Sequence, residues 1–120
     1  MVAYDLSKSK AFHEDVLGAS IFREYGSDSI VLEFLGNWIL LVTKGGSTVD
    51  KPNTEFLPPI DKNKVSHAFT IRVKDCQNSY ELLKARGAKF ITPPSTNGAE
   101  TRCFFLDPDR HLFEIREYSS

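Results

Sequence analysis

Residues 104–115 read FFLDPDRHLFEI, and the reading of this stretch decides the fold. Two apolar segments flank Asp107-Pro108-Asp109, so the stretch predicts two strands joined by a tight turn. Inside the second strand, between Phe113 and Ile115, stands Glu114. A carboxylate in an apolar strand is solvated, paired with a cation, or bound to a metal. Arg72, Arg102 and Arg116 are available as partners, and the three alternatives stay open on the residues alone.

Working outward, the chain divides into two similar halves. YDLSKSKAFHEDVLGASIF in the first corresponds to VKDCQNSYELLKARGAKFI in the second. In each, an aspartate opens a polar helical stretch and a glycine closes it: Asp5 to Gly18, and Asp75 to Gly87. Phe12 and Val16 share one face of the first helix, as Cys76, Tyr80 and Leu83 do in the second. Strand-like segments follow each helix. They are ASIFREY, SIVLEFL and WILLVT in the first half, and AKFIT, TRCFFL and HLFEIREY in the second, with GSD, GN, PPSTNGAE and DPDR as breaks. VSHAFTIRV precedes the second helix, and its counterpart before the first is only MVAY. Each half therefore predicts β-α-β-β-β, with the opening strand of the first cut short. Residues 44–64, KGGSTVDKPNTEFLPPIDKNK, read as a solvated linker pinned by Phe56 and Leu57, with a lid over a pocket as the other reading.

The bulk properties exclude several classes of function. The 120 residues suit one domain able to bury a core. With 15 basic and 16 acidic residues the net charge is −1, so no field gathers nucleic acid or an anionic membrane. No apolar run approaches the ~20 residues of a membrane span, and the start lacks a signal-peptide pattern. Cys76 and Cys103 are expected as reduced, packed thiols, consistent with a cytoplasmic location. No phosphate loop, Ser-His-Asp order or CxxC pattern occurs.

The segments DLSKSKAFHEDVLGA, VSHAFTIRVKDCQNSYELLKARGAKF and FFLDPDRHLFEI together resemble the vicinal oxygen chelate superfamily, which includes glyoxalase I, bleomycin resistance proteins and extradiol dioxygenases. The last of these is similar to the family's Asp-Pro-Asp-Gly-Asn turn, with Arg110 and His111 in place of Gly-Asn. A turn position that favours Gly often calls for φ > 0, which Arg tolerates less well, so this turn is expected to be somewhat altered. The resemblance implies an α+β fold of two βαβββ modules, about 1–43 and 65–120, joined by a linker at about 44–64 in one glyoxalase-like domain. It also implies a curved mixed sheet forming a cup, and a homodimer.

In metal-dependent members a His begins the first strand of a module and a Glu lies in its last. His67 and Glu114 match these positions in the second half, as metal ligands, with Glu114 as ligand or base. The first half matches neither: Leu41 stands opposite Glu114, and the counterpart of His67 falls before residue 1. Two ligands leave most of a coordination sphere to water, so one divalent ion (Zn, Ni, Fe or Mn), weakly held, and no metal at all are both expectations. Glu33 is a further donor in an apolar strand, whereas His13 and His111 are poor ligands by position. Trp38, Glu33, Phe104 and Arg102 are expected to contact a small-molecule ligand. Trp38, the only tryptophan, reads equally as a rim residue or as a stacking platform. Two functions follow: a metal-dependent lyase or dioxygenase with a degenerate metal site, or a metal-free protein that sequesters a small molecule.

Overall fold

The structure, a computed structural model, describes residues 1–118. The chain folds as two compact units, Met1–Ile60 and Asp61–Ser120. The architecture is α+β, with one mixed sheet and one helix in each unit among the described residues.

Unit 1 runs β1 (Val2–Ala3), α1 (Leu6–Asp15), β2 (Ser20–Tyr25), β3 (Ser29–Phe34) and β4 (Asn37–Thr43). Asp5 caps α1 by accepting the Lys8 amide at 3.2 Å, the role its side chain suits. The sheet order is β1-β4-β3-β2, with β1 parallel to β4 and the other pairs antiparallel. Alternation puts Ile30, Leu32 and Leu41 into the core, where Ala19, Ile21, Phe34 and Ile39 join them. Phe12 and Val16 are buried, as the helical spacing requires. The expected turn at Gly36-Asn37 lies one residue earlier. Leu35 and Gly36 both take positive φ (51° and 79°), and Asn37 already belongs to β4. Two left-handed residues match the twist of a two-residue hairpin.

Unit 2 runs β5 (Phe69–Arg72), α2 (Cys76–Ala85), β6 (Lys89–Phe90), β7 (Ser95–Asn97), β8 (Glu100–Leu106) and β9 (Leu112–Tyr118). Asp75 caps α2 by accepting the Asn78 amide at 3.0 Å. The sheet order is β5-β9-β8-β6, with β7 also paired to β8. Part of the PPSTNGAE break is thus a strand. Its Asn97 pairs with Glu100 across Gly98, which supplies the positive φ of the turn (63°). The opening strand is shorter than VSHAFTIRV suggests, so His67 precedes it by two residues. The core is aromatic: Phe105 stacks on Phe113 with ring centroids 5.2 Å apart, and Phe90 packs against Phe105 at 5.0 Å. Cys76 and Cys103 are free, buried thiols with sulfurs 4.0 Å apart. Burial pushes the Cys103 thiol up to about 12.

The turn between β8 and β9 is tied by one side chain. Asp107 Oδ1 accepts the amides of Asp109 (2.9 Å) and His111 (2.8 Å). The expected alteration of this turn is not seen at Arg110, which takes φ of 69°, the left-handed conformation that suits Gly. The 44–64 segment has internal order that the sequence did not announce. Gly45 and Phe56 exchange backbone hydrogen bonds of 2.9 and 2.8 Å. Lys51 donates to the carbonyls of Gly46 (2.6 Å) and Thr54 (3.2 Å), with its ammonium 4.5 Å from the Phe56 ring centroid.

Candidate functional site

Glu114 occupies the centre of the unit 2 sheet, because β9 has β5 on one side and β8 on the other. Its cross-strand neighbours are Thr70 and Phe104. Odd-numbered residues of β9, Phe113 and Ile115, face the aromatic core, so Glu114 and Arg116 share the opposite face. Glu114 is nevertheless only 4% exposed. A carboxylate this buried requires compensation, and it has it.

Both carboxylate oxygens are engaged. Oε1 accepts the Thr70 hydroxyl at 2.7 Å. Oε2 accepts Arg116 Nη2 at 2.9 Å and Nε at 3.2 Å, and Arg102 Nη1 at 3.5 Å. Arg116 in turn reaches Glu100 at 3.4 Å. The sequence offered three fates for Glu114, and pairing is the one observed. Thr70 had no distinguishing signal in the sequence; the β5–β9 register alone puts it beside Glu114.

The two arginines differ in character. The Arg116 side chain is 20% exposed and the Arg102 side chain 48%. Arg102 makes the longer contact and lies over the Phe104 ring at 5.3 Å. The face therefore presents a half-exposed cation and a half-buried aromatic ring beside a paired carboxylate.

His67 lies elsewhere. Its ring meets Phe69 edge-on at 5.2 Å and sits 6.3 Å from the His111 ring, while its Nδ1 is 3.3 Å from Ser66 Oγ. Phe69 contacts Phe113, on the face of β9 opposite Glu114. Among the described residues, no three His, Cys, Asp or Glu side chains form a group able to hold a metal ion. His13 is fully buried in α1 and its Nδ1 is 2.8 Å from the Ser9 carbonyl.

In unit 1, Glu33 and Trp38 are direct cross-strand partners between β3 and β4. The Trp38 indole donates to Glu33 Oε1 at 3.3 Å. Both side chains are on the sheet face away from the Leu32 and Leu41 core.

Comparison with known proteins adds four facts of fold and family. A sequence model of the glyoxalase/bleomycin resistance protein/dioxygenase superfamily matches residues 1–115. A glyoxalase/bleomycin resistance protein/dioxygenase from Alicyclobacillus acidocaldarius is similar over 100% of this chain and 88% of its own, at 23% identity and a TM-score of 0.75. Lactoylglutathione lyase from Agrobacterium tumefaciens is similar over 98% and 88%, at 15% identity and a TM-score of 0.72. A third solved structure is the fosfomycin resistance protein FosX from Listeria monocytogenes, held with Mn(II) and 1S,2S-dihydroxypropylphosphonic acid. It is similar over 96% and 82%, at 24% identity and a TM-score of 0.64.

Proposed function

Because this chain belongs to the glyoxalase/bleomycin resistance protein/dioxygenase superfamily, we propose that it binds a small molecule, and that its Glu114 face does so without a divalent metal. The observation that carries this reading is the saturation of Glu114: Arg116 occupies one carboxylate oxygen and Thr70 the other. A metal at Glu114 would have to displace a buried, charge-assisted pair and bring further positive charge against two guanidiniums. His67, the other ligand that the family pattern suggests, faces Phe69 and His111 instead. The donor set does not fit a divalent ion.

The work of this face falls to Arg102 and Phe104. Arg102 is the more exposed guanidinium and makes the longer contact to Glu114, so it turns outward at little cost. It then offers a forked donor to a phosphonate, carboxylate or other oxygen-rich group. Phe104 supplies an apolar platform beside it. Arg116 keeps Glu114 neutralised while Arg102 is engaged with ligand. Binding of an anionic compound in this way suits sequestration.

The test is calorimetric titration of the protein with phenylphosphonate and, separately, with Zn²⁺, Ni²⁺ and Mn²⁺. Phenylphosphonate is expected to bind wild type and to bind Arg102→Gln more weakly. Divalent-ion binding that wild type shows and Glu114→Gln loses would overturn the metal-free reading and restore the metal-dependent lyase or dioxygenase.

A further inference from the structure

Unit 1 has a recess of about 380 Å³ beside the turn between β3 and β4, lined by Leu17, Gly18, Glu33, Phe34, Leu35 and Trp38 among others. Glu33 is the one ionisable residue lining it among the described residues. Its carboxylate accepts the Trp38 indole N–H on Oε1 and has no other hydrogen bond or ion pair among the described residues. That bond fixes the indole beside a charge whose second oxygen is open.

The indole is half of a stack. Phe22 lies against Trp38 with centroids 4.9 Å apart and ring planes 28° apart, and the Arg23 guanidinium lies 5.9 Å from the Phe22 centroid. Phe22 does not line the recess. Trp38 is 67% exposed, an unusual state for the only tryptophan of a small chain.

Elsewhere the chain's own cations fill such places. Lys51 sits over Phe56 and Arg102 over Phe104, at 4.5 and 5.3 Å from the ring centroids. Lys10 pairs with Glu24 at 2.9 Å, and Arg116 with Glu114 at the same distance. At Glu33 and Trp38 a carboxylate is held at the N–H edge of an exposed indole, and no Lys or Arg lines the recess. A cation there is drawn by a carboxylate that the indole N–H holds in place.

We propose that this recess binds a small organic cation, a primary ammonium on a compact apolar body. The ammonium donates to Glu33 Oε2 and lies beside the indole. The apolar body rests on Leu17 and Phe34. This proposal rests on different residues from the Arg102 face, so failure of either leaves the other standing.

Trp38 itself is the reporter, being the only tryptophan. Benzylammonium, benzyl alcohol and benzoate are titrated at constant ionic strength, with excitation at the red edge of tryptophan absorption where the probes are transparent. Benzylammonium is expected to change Trp38 emission saturably, and roughly three- to tenfold more tightly than benzyl alcohol. Benzoate is expected to give no saturable change. Glu33→Gln, at an exposed position, should fold normally by circular dichroism and bring benzylammonium down to the level of the alcohol. Glu24→Gln, which removes a carboxylate outside the recess, should leave the preference intact. Equal response to ammonium and alcohol, a preference that survives Glu33→Gln, one that falls equally with Glu24→Gln, or no saturable change with any probe would overturn the proposal.

Discussion

Arg116 turns back along its own strand to Glu114, two residues away, and places Nη2 2.9 Å and Nε 3.2 Å from a single carboxylate oxygen. Alternation makes this possible, because residues two apart in β9 emerge on one face. The pair is largely dry on the Glu114 side, with 5% of that side chain exposed. Removing the cation therefore strands a buried charge. Arg116→Ala is expected to lower unfolding stability by about 2–3 kcal/mol, whereas Arg102→Ala, from a longer and more exposed contact, should change it by less than about 1 kcal/mol. Denaturant titration of the two variants reads the difference, and equal losses would mean that Arg102 carries the pairing.

Asp75 accepts the Asn78 amide and also the Asn78 side-chain amide, both at 3.0 Å. Asp75→Ala should cost about 1 kcal/mol by urea unfolding, and Asp75→Asn much less, since Asn is an equally good cap. A loss as large in the Asn variant would show that the charge, and not the hydrogen bond, matters there.

Leu35 sits at φ of 51° and is 68% exposed. A leucine gains nothing there from burial and bears the strain of a left-handed backbone. Leu35→Asn is expected to raise stability by about 0.5–1 kcal/mol, because Asn enters that region more readily. Thermal unfolding measures it, and a lower melting temperature would show that the exposed leucine has a contact of its own.

Burial pushes the Asp107 carboxyl up to about 6, against the opposing pull of His111 and of the two amides it accepts. Between about pH 4 and 6 the folded state thus keeps a proton that the unfolded state, whose carboxyl titrates near 3.9, has lost. The sign follows: this group's stabilising contribution is full below about pH 4 and is lost as pH rises through about 6. The difference amounts to at most about 3 kcal/mol. Asp107→Asn keeps the accepting oxygen and removes the titration, so stability measured from pH 4 to 8 should fall less with rising pH in the variant than in the wild type. Parallel curves would assign the dependence to other groups.

The elements most legible in the sequence were those with local chemistry. Asp5 and Asp75 announce their helices because capping needs only a side chain three residues from its amide. The face of Glu114 was legible too, since strand alternation is strictly periodic. Its partner was not. Arg72, Arg102 and Arg116 all stood in reach on paper: alternation within β9 allows Arg116, whereas strand registers decide where Arg72 and Arg102 fall, and side-chain geometry puts Arg116 nearest. His67 was misleading for a related reason. Alternation holds within a strand, and β5 begins two residues later, at Phe69. The β7 strand was hidden in a break rich in Pro, Ser and Gly. Its pairing is licensed by the turn at Gly98 rather than by apolar residues.

The exchange of hydrogen bonds between Gly45 and Phe56 has a further meaning for the chain's tolerance of change. A segment whose two ends are bonded to each other is a detachable module. What lies between is exposed at its tip, with Val49 fully solvated, and is held by Lys51 from within. Residues 46–55 can therefore be shortened to a plain turn, or lengthened to carry a grafted peptide, with strand β4 left in place. Length variation is cheap at such an address, and a tag or reporter inserted there leaves the strands of the unit 1 sheet untouched.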